Sequence, residues 1–318
     1  YLHGGRENGC LRHAGDVIGP VRALELRVLF SAPPGPETVL FVTHAPEGRI
    51  KPHVPRYLDA FRNAGLSVTA IVVADDLDSV ERAKIAPHCD GLMLRENGGY
   101  DFAAWAHAAD HVDLTATKLL FIANDSIVGP LDDRAFRTLI DRVRASSAEL
   151  VGMTDNHQRT YHFQSFLFAV KGSAVGRLLD FLSTVAQLHG KQQVIMTYEV
   201  RFHDRLKAQG TTTYVLFPCG DVRANRAVLH WRELVEEGFP FIKMEVLRKV
   251  SKIIWKRTFK KYGYPVQCAD LSVKITELAG PITLGKGLQR ELKYRRPSVV
   301  KYFFFRLLEI VTRPFSAS

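Results

Sequence analysis

Apolar and polar positions along residues 38–123 switch between two periods. The run Thr-Val-Leu-Phe-Val-Thr at 38–43 is short, apolar and β-branched, and it predicts a buried strand. Val54, Tyr57, Leu58 and Phe61 then recur at helical spacing, and Gly65 stops that helix. Further strands are predicted at 67–73, 90–94 and 118–123, with a helix over 102–109. Strands alternating with helices imply a parallel sheet covered on both faces. Ligands of such sheets sit at the carboxyl ends of the strands, so the loops after Thr43, Val73, Leu94 and Ala123 are where chemistry is expected.

The second half is less regular. Strands are predicted at 149–153, 163–170 and 211–217, and helices at 173–188 and 198–208. Residues 302–311 form a largely apolar helical stretch set among Arg295, Arg296, Lys301, Arg306 and Arg313. Residues 1–36 are rich in Gly, His and Arg, end in Ser-Ala-Pro-Pro-Gly-Pro and predict no regular element. The pattern therefore divides into a lead-in at 1–36, an α/β domain at 37–250 and a basic helical extension at 251–318.

Composition supports a folded chain: 46% of the 318 residues are hydrophobic and 24% charged. Charge is uneven. Residues 243–318 hold 17 Lys+Arg and 5 Asp+Glu, or 17 − 5 = +12, so the rest of a chain of net +10 sums to 10 − 12 = −2. A basic tail on a near-neutral body predicts an anionic partner, nucleic acid or acidic lipid. No helix-turn-helix, zinc-finger or RNP pattern accompanies the charge, which sets nucleic acid aside. Residues 299–315 mix Tyr302, Phe303, Phe304, Phe305, Leu307, Leu308 and Ile310 with basic residues. They fit either a helix lying at an anionic membrane surface or a core helix closing the domain. No apolar run of ~18 residues predicts a spanning helix, and no signal peptide is visible. Cys10, Cys89, Cys219 and Cys268 lie far apart without a C-x-x-C pair, which predicts a reducing compartment.

Three constellations could carry chemistry. Arg95-Glu-Asn-Gly-Gly-Tyr-Asp-Phe102 joins a strand to a helix. It is either a phosphate-binding turn, with Arg95 and helix N–H groups meeting the anion, or an ordinary glycine-containing connection. Asn124-Asp125-Ser126 closes a buried strand. There Asp125 could ligate a divalent cation, or the triplet could cap a following helix at Asp132. Glu199 opens an amphipathic stretch that ends at Gly210. A carboxylate there is either a dipole-favoured surface residue or a general base facing a cleft. His230 could bind metal or pack, and Asp155, His157 and His162 are candidate cleft residues whose spacing matches no zinc pattern.

The order of these pieces resembles the rhamnan synthesis F family of bacterial polysaccharide enzymes. The resemblance runs over roughly residues 38–250. It rests on Thr43-His44, Gly48-Arg49-Ile50, the 95–102 segment with Trp105, Asn124-Asp-Ser126 with Gly129-Pro130, and Thr154-Asp155. It continues through Tyr161-His-Phe-Gln-Ser165, Tyr198-Glu-Val200, His230-Trp231 and Pro240-Phe-Ile-Lys243. That family is similar to inverting glycosyltransferases of the GT-A fold, so the resemblance implies a Rossmann-type mixed sheet flanked by helices.

It also implies roles. Glu199 would be the catalytic base, with Asp155 beside it. Thr43, His44, Asp75, Asp76, Arg95, Asn97, Gly98, Gly99, Tyr100, Asp101 and Asn124 would bind the donor. Asp125 and His230 would hold Mg²⁺ or Mn²⁺, although one acid stands where a D-x-D motif carries two. His162, Gln164, Ser165 and Trp231 would meet the acceptor. The implied donor is dTDP-L-rhamnose, the acceptor a lipid-linked glycan, and the place the inner face of a bacterial cytoplasmic membrane. A non-catalytic nucleotide- or carbohydrate-binding domain derived from such an enzyme is the alternative.

Overall fold

The structure, a computed structural model, describes residues 17–157, 160–188, 190–220, 225–249 and 252–269. Its strands are β1 (Val17–Pro20), β2 (Leu26–Ser31), β3 (Glu37–His44), β4 (Ser67–Val73), β5 (Gly91–Arg95), β6 (Leu119–Asn124) and β7 (Ile127–Val128). They continue with β8 (Leu150–Asn156), β9 (His162–Phe163), β10 (Leu167–Lys171), β11 (Ala186–Leu188), β12 (Thr213–Phe217) and β13 (Ile242–Lys243). The helices that position the site are α1 (Val54–Asn63), α2 (Ser79–Ile85), α3 (Tyr100–Ala109), α4 (Asp133–Ala145), α5 (Ser173–Ser183), α6 (Lys191–Val194) and α7 (Phe202–Ala208).

The main sheet runs in the order β12-β8-β10-β6-β3-β4-β5-β2, with β9 added to β8. β5, β4, β3 and β6 are mutually parallel, and so are β8 and β12. β10 lies antiparallel between β6 and β8, and β2 lies antiparallel on β5. The expected α/β mixed sheet flanked by helices is the one that forms.

Strand periodicity explains the two cores. Val39 and Phe41 of β3 enter one cluster with Tyr57, Phe61 and Phe136 of α1 and α4. Leu40 and Val42 point the other way, into a cluster with Trp105, Phe181 and Phe202 of α3, α5 and α7. With both faces covered, β3 and β6 read as unbroken apolar runs. A third cluster joins Val128 and Leu131 to Trp231, Met244, Trp255, Phe259 and Tyr264, so residues to 264 pack on the domain instead of separating from it at 250.

Several predicted boundaries change. The lead-in carries two strands, and β2 pairs with β5 from Leu26↔Arg95 to Ser31↔Gly91. The strand predicted at 163–170 is two strands, because the backbone leaves the ladder at 164–166, where the amide of Asn124 reaches Phe166 O at 3.1 Å. The helix predicted at 173–188 ends at Ser183, where the hydroxyls of Ser183 and Thr184 bond back to Asp180 O and Phe181 O at 2.7 Å each. Residues 186–188 then pair with β1. No helix among the described residues is long and apolar enough to cross a membrane. The apolar helix expected at 302–311 lies outside the described residues.

Candidate active site

The carboxyl ends of β3 and β6 meet at Asp125. Its amide donates to Val42 O at 3.2 Å, which fixes it against the end of β3. Its carboxylate oxygen Oδ2 accepts from Thr43 Oγ1 at 2.5 Å, from the His44 amide at 3.0 Å and from Lys51 Nζ at 2.6 Å. Burial by itself would raise the Asp125 carboxyl. The Lys51 charge and the hydrogen bonds from Lys51 and Thr43 outweigh burial and hold it below its ordinary value. Its carbonyl lies 3.1 Å from Nε2 of His53. A carbonyl only accepts, so Nε2 carries the ring proton. Burial pushes the His53 pKa down to about 4, which keeps the ring neutral.

Asn124 turns the other way. Its Nδ2 donates to Asp101 Oδ2 at 2.8 Å, while its Oδ1 accepts from the amide (3.0 Å) and hydroxyl (2.6 Å) of Ser126. The triplet is therefore a closed turn and not a helix cap. The cap of α4 is Asp132, which accepts from the Ala135 amide at 2.6 Å. Asp101 sits in the first turn of α3. Two successive left-handed residues, Gly99 (φ 72°) and Tyr100 (φ 62°), precede it and aim the helix start at Asn124. A side chain such as Tyr pays a steric cost there, so the surroundings must hold it. Burial, and then the Asp125 charge, push the Asp101 carboxyl up to about 7.

Glu199 lies on a single π-turn, Ile195–Glu199, just before α7, in which the Val200 amide reaches Ile195 O at 2.9 Å. Such turns are rare and cluster at functional sites. The turn is anchored by buried Tyr198, whose hydroxyl accepts from the Ala186 amide at 2.8 Å. Glu199 Oε1 comes within 3.5 Å of the Ser165 amide, and its charge acts on both Asp101 and Lys243. Lys243 is delivered by β13, paired opposite Ile127 of β7, and the next amide, of Met244, donates to Ser126 O at 2.9 Å. Burial lowers the Lys243 pKa, with Glu199 and Glu245 opposing it.

Thr43, His44, Asp101, Asn124, Asp125, Ser165 and Glu199 thus gather at one end of the sheet. Asp75 and Asp76 lie exposed after β4, and Asp75 is near enough for its charge to act on His44. Asn97 and Tyr100 are exposed on the 96–100 loop, with Gly98 and Gly99 packed against Gln187.

Other expected residues serve the scaffold. Arg95 is fully buried, and its Nη1 donates to Glu96 O (3.0 Å) and Gly98 O (2.8 Å). It braces the loop from beneath and does not face a phosphate. Burial lowers its pKa to about 10, so it stays charged. Asp155 is buried and accepts from the Cys219 amide at 2.6 Å and from the Tyr161 hydroxyl, so it ties loops together and is not placed as a catalytic group. Gln164 is buried with Oε1 on Thr154 Oγ1 at 2.7 Å. His162 is buried with Nδ1 on Thr160 O at 2.8 Å. Trp231 belongs to the third core cluster. None of these three offers a free face to an acceptor.

The implied divalent cation finds a poor donor set. Oδ2 of Asp125 already takes three donors, one of them an ammonium. His230 lies with Nδ1 3.9 Å from Glu233 Oε1. Among the described residues no three His, Cys, Asp or Glu side chains group as metal ligands.

Residues 69–269 match the model of the family described as rhamnan synthesis protein F. The chain belongs to that family. A curated relative, virulence protein VirA of Vibrio anguillarum, is 29% identical, with 60% of this chain and 69% of the relative covered. Among solved structures the chain is similar to a nucleotide-diphospho-sugar transferase from Desulfovibrio desulfuricans (13% identity, 72% of this chain and 98% of that one, TM-score 0.38). It is also similar to a mannosyltransferase of Pyrobaculum calidifontis solved with GDP-Man and Mn²⁺ (12% identity, 66% of this chain and 69% of that one, TM-score 0.38). Likeness at that level carries no chemistry across.

In this member of the rhamnan synthesis F family, three residues near the cleft receive no role from sequence, Lys243 among them although it closes the Pro240-Phe-Ile-Lys243 motif. Lys51 and His53 reach Asp125 by side-chain contacts, and Lys243 pairs through its backbone with Ile127 while its ammonium lies over the Phe166 ring. A weak signal existed for each: Lys51-Pro-His53 follows directly on the Gly48-Arg-Ile50 motif. Lys243 interrupts an apolar run, Phe239 to Met244, where a lysine needs a reason.

Proposed function

We propose that this chain transfers a sugar from a nucleotide-sugar donor to an acceptor hydroxyl in one inverting displacement. The observation that carries it is the meeting of Glu199 with Asp101, Asp125 and two lysines at the carboxyl end of the sheet. Glu199 takes the proton of the acceptor hydroxyl as that oxygen bonds to the anomeric carbon. The bond from that carbon to the diphosphate breaks, and the nucleoside diphosphate leaves with the electron pair. Lys51 and Lys243 offset its charge. The family name supports dTDP-L-rhamnose as donor and a lipid-linked glycan as acceptor. The +12 charge of residues 243–318 supports work at the anionic inner face of a bacterial cytoplasmic membrane.

Glu199→Gln tests the reading. It keeps size and hydrogen bonding but cannot accept the proton. With dTDP-L-rhamnose and a lipid-linked acceptor, turnover is expected to fall about 100-fold or more, the scale of general-base catalysis, with dTDP affinity unchanged. Near-normal turnover would refute the assignment. Binding of donor without turnover in the unaltered protein would favour a non-catalytic binding domain instead.

A further inference from the structure

We infer that the ammonium of Lys51 occupies the place a divalent cation takes in a carboxylate-held diphosphate site, so that nucleoside diphosphate binds here without metal. The inference rests on the nucleotide-sugar reading above.

Three observations carry it. First, Asp125 Oδ2 is saturated: Thr43 Oγ1 at 2.5 Å, the His44 amide at 3.0 Å and Lys51 Nζ at 2.6 Å leave that oxygen no room for a metal bond. A dication on Oδ1 would still face the ammonium across one carboxylate, and like charges at that separation repel. Second, Lys51 is fixed before any ligand arrives. The Ile50 amide donates to Glu81 Oε2 at 2.9 Å. The loop before it turns at Glu47 (φ 55°) and Gly48 (φ 70°), where a Cβ on Gly48 would stand 2.6 Å from Asp76 O. Only glycine allows that approach. An ammonium carries three protons, and the bond to Asp125 takes one, so protons remain for an anion on a side chain that keeps 20% of its surface open. Third, a second lysine stands on the other flank of the same turn. Lys243 lies opposite Ile127, and the charge of Lys191 acts on it. Lys51 on Asp125 and Lys243, paired opposite Ile127 with its ammonium 5.3 Å from the centre of the Phe166 ring, thus put two cations beside one turn.

In this arrangement Asp125 positions a cation as it would a metal, but the cation belongs to the chain. A single acid in Asn124-Asp125-Ser126 is then sufficient, because one ammonium needs one carboxylate.

The test is dTDP, UDP and GDP binding to the full chain by calorimetry, in excess EDTA and again in Mn²⁺. Lys51→Met and Lys51→Arg are measured beside it. Expected is binding in EDTA within about threefold of that in Mn²⁺, weakened tenfold or more in Lys51→Met and largely restored in Lys51→Arg. Should Lys51→Met not fold, the EDTA comparison and the Arg variant still decide. Binding that appears only with Mn²⁺, or a Lys51→Met protein that binds as the unaltered chain does, overturns the inference and leaves the nucleotide reading standing. No binding of any of the three in either condition overturns both.

Discussion

Replacing Asp125 should destabilise the fold in a way that depends on Lys51. Asp125→Ala strands three donors. Thr43 is fully buried, and its hydroxyl loses its partner, a penalty of about 1–3 kcal/mol. The His44 amide adds about 1 kcal/mol, the net worth of an ordinary hydrogen bond. Lys51 is only 20% exposed at its side chain, but it can swing outward, so it adds less than a fully trapped charge would. The sum is about 3–5 kcal/mol, in the range found when one partner of a buried pair is removed. That corresponds to a fall in Tm of roughly 6–20 °C at about 2–4 °C per kcal/mol. Lys51→Met leaves Thr43 and His44 on the carboxylate and should cost about 1–2 kcal/mol. The informative quantity is the double variant. If the pair is real, urea unfolding of Asp125→Ala, Lys51→Met and the combination gives a coupling of about 1–3 kcal/mol, the double costing less than the sum. Additivity within about 0.5 kcal/mol would refute the pairing, and with it the role given to Lys51.

Two groups of the same site bend stability with pH in opposite senses. Asp101 titrates near 7 when folded, above its ordinary carboxyl value, so the folded state holds the extra proton and stability falls as pH rises from about 4 to 7. His53 titrates near 4 when folded, below its ordinary value, so the unfolded state holds the extra proton and stability rises across about pH 4 to 6.5. Denaturation profiles should show Asp101→Asn steepening the rise and His53→Gln exposing the fall; two variants with profiles parallel to the unaltered protein would contradict both. Gly99→Ala places a Cβ 2.6 Å from that of Ala103 at φ 72°, and should cost about 1–3 kcal/mol with a loss of dTDP affinity, because the turn that aims Asp101 is displaced. An Ala variant as stable as the parent would mean the left-handed turn is not required.

Strands β3, β4, β5 and β6 and helices α1 and α3 are legible in the sequence because each is a local pattern. An unbroken β-branched run makes a strand buried on both faces, and a 3.6-residue apolar stripe makes a helix with one face to bury. Their alternation places the ligand end of the sheet at the loops after Thr43, Val73, Leu94 and Ala123, while the roles of Thr43, Asp101, Asn124, Asp125 and Glu199 are what the family resemblance implies. Burial and pairing of single polar atoms are not local. Arg95 reads as a phosphate ligand because an arginine beside glycines at a strand end suits one. Only its inward rotamer, bonded to Glu96 O and Gly98 O, makes it a brace. Asp155, Gln164 and Trp231 follow the same course, drawn from the cleft by partners distant in sequence. Lys51 shows the reverse. Its place just after the Gly48-Arg-Ile50 motif gives it no role by itself, and it becomes part of the site because a charge 74 residues away needs a counter-ion. The sequence by itself determined the parallel strands at the centre of the sheet and which end of them ligands of such folds occupy, since both follow from hydrophobic periodicity. The tertiary structure decided which charges face each other there, since Coulomb attraction depends on distance through space and not along the chain.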